Sequence, residues 1–250
     1  MIDTHCHLSY MDYDNLDSII DEMKKMNVIG ITNGVDEISS IEAIELSNKY
    51  DNIYAAIGFH PSEVEKIPDN YIEYIEENIS KVVAIGEIGL DCHYGKENIV
   101  LQKNVFENQL KLAEKYNIPV IVHTRDAIMD TYNIIKKYNV RGVIHAFSGS
   151  YEMACKFVEL GFKLGIGGVI TFKNCNLKDV ISKIDIKNIV LETDSPYLSP
   201  EPVRGKKNTP LNLKYIASFI ANLKDLSLED VLRITSDTSS ALFDLNTKLC

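Results

Sequence analysis

The sequence predicts an α/β fold, a single TIM-type (β/α)8 barrel, and three observations carry that expectation. Short β-branched runs alternate with longer amphipathic stretches from one end of the chain to the other. There are eight such runs, the number that closes a parallel barrel. Histidines and carboxylates cluster where the runs stop, and in a parallel barrel all those ends share one rim. A length of 250 residues is ordinary for one barrel.

Taken in order, the candidate strands are Ile2–Cys6, Val28–Asn33, Ile53–Gly58, Val82–Gly86, Pro119–Val122, Gly142–Ile144, Phe162–Gly165 and Ile189–Leu191. Between them the apolar residues recur at helical spacing over Leu16–Met26, Ile38–Tyr50, Asn70–Ile79, Ile99–Tyr116, Ala127–Tyr138, Tyr151–Leu160 and Leu177–Ile184. A pair of helices near Leu211–Leu223 and Leu228–Phe243 ends the chain. In the second helix Ile38, Ile41, Ile44 and Leu46 form a stripe that only Glu45 breaks. Ser227 with Asp230 three residues on reads as a capped start to the last helix. No Gly/Ser linker or low-complexity segment interrupts this order, and no repeat exceeds the β/α unit, so 1–250 is expected to be one domain. A doubly wound open sheet fits less well, because no G-x-G-x-x-G follows the first strand and polar residues follow many strands rather than one switch point.

Composition narrows the function. Hydrophobic residues at 45% and charged residues at 25% argue for a sizeable core and against disorder. A net charge of -10 excludes a protein that coats duplex nucleic acid with a broad basic face, although divalent ions in a narrow acidic cleft can still hold phosphates. The five cysteines, Cys6, Cys92, Cys155, Cys175 and Cys250, are scattered and form no CxxC pair, which points to a reducing compartment without disulfides. No leader and no apolar run of about 18 residues is present, so a cytoplasmic protein without membrane association is expected, or a nuclear one in a eukaryote.

The chemistry begins at His5 and His7, two residues apart on the first strand and therefore on one face of it. Alone, such a pair serves a core or a surface as readily as a metal. His60, His123 and His145, however, follow Ile57-Gly58-Phe59, Val120-Ile121-Val122 and Gly142-Val143-Ile144, while Glu87 and Asp194 follow Ala84-Ile85-Gly86 and Val190-Leu191-Glu192-Thr193. Five of the six histidines share one kind of position, which packing alone does not explain; His93 is the loop exception. Imidazoles with carboxylates able to bridge suit a pair of divalent ions. Asp194, with an oxygen to spare, could also take a proton from an attacking water. The implied chemistry is hydrolysis. No G-x-S-x-G, thiol-hydrolase spacing or phosphate-binding P-loop offers another route.

Two cationic features suit a phosphate. The Pro/Gly-framed stretch Pro200–Pro210 carries Arg204, Lys206 and Lys207 within four residues, and Arg125 follows His123 closely. A solvated loop and an ion pair with a nearby carboxylate are the plainer roles for these residues.

Together these motifs resemble the TatD family of metal-dependent deoxyribonucleases, within the amidohydrolase-like barrels. The resemblance runs through Ile2-Asp3-Thr4-His5-Cys6-His7-Leu8, Gly58-Phe59-His60-Pro61, Gly86-Glu87-Ile88-Gly89-Leu90-Asp91, Pro119–Arg125, His145-Ala146-Phe147-Ser148-Gly149, Glu192-Thr193-Asp194-Ser195-Pro196 and Arg204-Gly205-Lys206. HxH is widely shared; Glu-Ile-Gly-Leu-Asp and Glu-Thr-Asp-Ser-Pro in this order are specific. The resemblance implies His5, His7, Glu87, His123, His145 and Asp194 as ligands of two divalent ions (magnesium, zinc or manganese), with Glu87 bridging. It places His60 beside the metals, at the substrate or a further ion; with the residue-level reading, Asp194 and Glu87 are the expected catalytic residues, and Arg125, Arg204 and Lys206 the expected substrate contacts. It further implies hydrolysis of DNA phosphodiesters, often from 3′ ends and on single strands, and it implies no particular protein partner. Ser9 and Cys92-His93 depart from the family's pattern, which bears on substrate preference. A metal-dependent amidohydrolase or esterase acting on a small molecule would use the same ligands, and the Arg204–Lys207 cations are the sequence feature that separates the two.

Overall fold

The computed structural model describes residues 1–245, so Cys250 lies outside the described residues. Strands and helices alternate as β1 (Ile2–Cys6), α1 (Leu16–Lys25), β2 (Ile29–Asn33), α2 (Glu37–Lys49), β3 (Ile53–Ile57), α3 (Tyr71–Asn78), β4 (Ala84–Asp91) and α4 (Ile99–Tyr116). They continue as β5 (Val120–Arg125), α5 (Ile128–Ile135), β6 (Gly142–Ile144), α6 (Tyr151–Glu159), β7 (Lys163–Ile166), α7 (Leu177–Lys183), β8 (Ile189–Leu191), α8 (Leu213–Lys224) and α9 (Leu228–Leu242). The strands form one eight-stranded sheet in sequence order, each neighbouring pair from β1 and β2 to β7 and β8 parallel. This is the TIM barrel the sequence predicts.

The seam between β8 and β1 is closed by mixed bonds rather than by a long ladder. The Asp3 carboxylate accepts from Thr193 N at 2.9 Å and Thr193 Oγ1 at 2.5 Å, and Thr4 Oγ1 donates to Leu191 O at 3.1 Å. Asp194 N donates to His5 O at 2.9 Å, and His7 N to Ser195 O at 2.7 Å. These bonds fix β1 and the segment after β8 against each other at the rim.

Two apolar layers hold the barrel. Ile2, Ile31, Ala56, Ala84, Ile121, Val143 and Val190 fill its interior, joined by Leu242, Phe243 and Leu245 at the end of α9. A larger cluster, including Phe106, Phe157 and Phe162, lies between strands and helices. Local signals set several ends: Asp36 and Ser39 form a reciprocal capping box at α2, and Ser150 and Ser227 cap α6 and α9 by accepting from Met153 N and Asp230 N. Asn117 closes α4 in the left-handed conformation at φ 50°, which Asn tolerates better than most side chains.

The sequence reading departs from the structure in three places. β4 runs to Asp91 and β5 to Arg125, so Glu87 and His123 lie within strands rather than beyond their ends. Polar side chains end an apolar run without ending a backbone ladder, and here Gly89 pairs with His123, Leu90 with Thr124 and Asp91 with Arg125. Gly89 permits this: at φ +147° a Cβ would stand 2.0 Å from His123 O. The α2 stripe is also different, since Ile38 and Ile41 are 75% and 44% exposed while Ser40, Ala43, Ile44 and Leu46 face inward. Helix ends shift by small amounts, most at α5, which stops at Ile135 rather than Tyr138. Among the described residues no helix is long and apolar enough to cross a membrane.

Candidate metal centre

β1, β4, β5, the turn after β6 and the segment after β8 bring His5, His7, Glu87, His123, His145 and Asp194 together at the rim. His5 Nε2 and His7 Nε2 face one another at 3.1 Å. Glu87 Oε2 lies 3.4 Å from His5 Nε2 and 3.7 Å from His7 Nε2, and Asp194 Oδ1 lies 3.6 Å from both nitrogens. The other Glu87 oxygen turns the opposite way: Oε1 is 2.9 Å from His123 Nδ1, 3.6 Å from His60 Nε2 and 3.9 Å from His145 Nε2. Glu87 thus divides its oxygens between two groups of imidazoles.

Three sets of donor atoms each lie within 4.8 Å of one another: His5, Glu87 and His145; His5, His7 and Asp194; and His60, Glu87 and His123. Convergent lone pairs in a buried place repel unless protons or a cation stand among them. Nitrogen and carboxylate donors at this density fit divalent ions.

The electrostatics follow from this crowding. Burial would raise the Glu87 and Asp194 carboxyls, but neighbouring histidines overcome it and hold Glu87 well below, and Asp194 below, the usual range. Burial also opposes charge on His123 and His145, yet Asp91 with Glu87 lifts His123 to about 9, and Glu192 with Asp194 lifts His145 to about 10. His60, buried and near His123, is pushed down to about 4 despite Glu87.

Two carboxylates complete the arrangement that the ligand reading left out. Asp91 Oδ2 lies 3.2 Å from His123 Nε2, so the outward nitrogen of that ring is engaged. Glu192 is fully buried, with Oε1 accepting from Ala146 N at 2.6 Å and standing 3.1 Å from His145 Nδ1, off the line of a hydrogen bond. Both residues sit in motifs that were already visible, Glu-Ile-Gly-Leu-Asp and Glu-Thr-Asp-Ser-Pro, but sequence carries no signal for which ring each would face.

The cationic residues separate. Arg125 lines both cavities that open onto the cluster, its guanidinium 5.5 Å from the Tyr94 ring centre. Arg204 lies elsewhere: it stacks on Phe172 at 4.2 Å, stands 3.8 Å from Glu201 and lines a smaller neighbouring cavity. Lys206 is exposed and lines none of these cavities, while Lys207 donates to the backbone carbonyl of Asp12.

A sequence model of the family described as TatD related DNase matches residues 2–244. The chain belongs to the TatD family. Among curated relatives of this TatD protein, the uncharacterized metal-dependent hydrolase YabD of Bacillus subtilis is 40% identical, covering 98% of this chain and 100% of its own. The uncharacterized metal-dependent hydrolase YcfH of Escherichia coli is 33% identical over 98% of this chain and 96% of its own. The crystal structure of the Escherichia coli TatD homologue YjjV superposes with a TM-score of 0.90 at 30% identity, covering 98% of both chains. The protein is therefore a metal-dependent hydrolase of the TatD family, built as one barrel.

Proposed function

We propose that this protein is a metal-dependent deoxyribonuclease that removes nucleotides from the 3′ ends of single-stranded DNA, with two divalent ions. The family's description as DNases and the sequence resemblance support the substrate and its polarity. The division of Glu87's oxygens supports a bridged pair: Oε2 serves the half with His5, His7 and Asp194, Oε1 the half with His123 and His60. Ions held there would polarise a phosphate oxygen and acidify a water, the chemistry such pairs supply.

The chain's own residues do the rest. Asp194, with its carboxyl held ionised, is placed to accept the proton of a water attacking phosphorus. Its backbone is pinned by His5 O, so the carboxylate is aimed before substrate arrives. Glu192 keeps His145 turned with Nε2 toward the cluster. As the water oxygen bonds to phosphorus, the bond to the penultimate 3′ oxygen breaks and that oxygen takes a proton from solvent.

The observation that carries the phosphate reading is Arg125, the cation at the junction of the two cavities beside the cluster. A guanidinium there grips a phosphate in a bidentate fork, whereas hydrolysis of a small amide has no evident use for it. Arg204 and Lys206, set aside from the cluster, are at most contacts to a more distant part of the strand.

The test is cleavage of 5′-labelled single-stranded DNA by stripped protein with magnesium, manganese or zinc added back. A ladder shortening from the 3′ end, dependent on metal and absent in Glu87→Ala, is expected. Protein that binds two ions yet cleaves no DNA with any of them, but hydrolyses small amides or esters, would transfer the assignment to the amidohydrolase class.

A further inference from the structure

Two cavities flank the cluster, and they differ in enclosure and in the acidic side chains on their walls. One, of about 620 Å³, is the more enclosed, and Phe147, Val169, Ile170, Leu177 and Leu198 stand on its walls. The other, of about 570 Å³, is more open and carries Asp12, Glu42 and Asp91 among its walls. Both include His123, His145, Asp194 and Arg125, so both begin where a phosphate would lie. A phosphodiester has two organic substituents, and these surroundings treat them unequally.

We infer that the enclosed cavity is a nucleoside pocket, taking the sugar and base of the terminal nucleotide while its phosphate lies between Arg125 and the cluster. This rests on the phosphodiesterase reading. The cavity's volume falls within the range of about 300–1,000 Å³ typical of small-ligand sites. Apolar walls take the face of a base, which is sequence-tolerant because every base has one. Ser148 and Asn176, exposed on the same walls, supply polar contacts for a base edge. The greater enclosure of this cavity favours a single terminal nucleoside over a continuing strand. The open cavity receives the rest of the strand.

The test compares binding of 2′-deoxyadenosine 5′-monophosphate with that of 2-deoxyribose 5-phosphate, by calorimetry on manganese-loaded protein. The base should strengthen binding by about tenfold or more. Leu177→Trp and Val169→Trp, which fill the cavity from a half-buried and an exposed position, should each reduce that gain to less than about twofold. A far-ultraviolet spectrum and the ion stoichiometry check that each variant is folded, and having two positions guards against failure of one.

Equal binding of the two ligands by the wild-type protein, or a gain that survives both tryptophans, overturns the pocket. DNA cleaved from its ends with no base-dependent gain would overturn the pocket and leave the nuclease reading intact. A base-dependent gain in a protein that cleaves no DNA would uphold the pocket and end the nuclease reading.

Discussion

Glu192 stands behind His145, its Oε1 3.1 Å from the ring's Nδ1, while the same ring's Nε2 lies 3.7 Å from Asp194 Oδ1. A buried carboxylate at the rear of an imidazole fixes the ring and raises the basicity of the nitrogen that faces a metal, an effect of about 10–100-fold on affinity or activity. Glu192→Gln should accordingly lower metal affinity or metal-dependent turnover by about that factor while leaving the fold intact. Metal titration beside a thermal melt checks it. Unchanged affinity and turnover in a folded variant would remove Glu192 from the site.

The same relationship has a second, independent handle on β7. A Cβ at Gly165 would lie 2.1 Å from Glu192 Oε2 and 3.1 Å from a Val143 methyl. Gly165→Ala therefore has to push the Glu192 carboxylate off its place, because strand backbone yields less readily than a side-chain end. Activity should fall as in Glu192→Gln, and the double variant should fall little further, since both changes act on one contact. Additive losses would mean that Gly165 matters for packing alone.

How much of this was legible without coordinates depends on whether a residue's role is set by backbone direction or by side-chain company. His5 and His7 had to share a face because strand side chains alternate, and His145 had to reach the rim because β6 ends just before it. Those residues were readable. The continuation of β4 through Gly-Leu-Asp was not, since it depends on pairing with β5 across the barrel. Nor was the fate of Arg204: a flexible, charged side chain packs on whichever ring and carboxylate its neighbours offer, here Phe172 and Glu201. The bonds of Asp3 to Thr193 join residues 190 positions apart, and no local pattern announces them.

Proton release should accompany metal binding. In the ion-free protein His145 and His123 hold their protons up to about 10 and about 9, well above the ordinary 6.5, because the attraction of nearby carboxylates outweighs burial. Folding thus gains from these protonated rings at any pH below about 6.5, and the gain disappears as pH rises through about 9 and then about 10. A divalent ion competes for the same nitrogens, so apparent affinity should climb across that window while the ion-free protein loses stability. Calorimetric titration at neutral pH in two buffers of different ionisation heat should show at least about one proton released per protein. No release, and a melting temperature of the ion-free protein that does not fall between pH 7 and 10, would contradict the protonated cluster.

Arg125 and Arg204 make opposite predictions although both are exposed guanidiniums on the rim side of the sequence motifs. Arg125 borders both cavities at the cluster, with its guanidinium 5.5 Å from the Tyr94 ring centre and, among the described residues, no hydrogen bond or ion pair holding it, so its donors are available to a phosphate. Losing a charge-assisted hydrogen bond costs about 1.5–3 kcal/mol, and Arg125→Ala should raise KM for DNA by about tenfold or more. Arg125→Lys should recover only part of this, since an ammonium cannot reproduce the fork. Arg204 already stacks on Phe172 and faces Glu201, beside a cavity that contains none of the cluster's histidines. Arg204→Ala should therefore change KM by less than about threefold, the scale of an exposed and screened charge. Steady-state kinetics on a short single strand at two salt concentrations separates the pair. A larger loss at Arg204 than at Arg125 would move the phosphate grip to the loop after β8 and reverse the direction in which the strand crosses the rim.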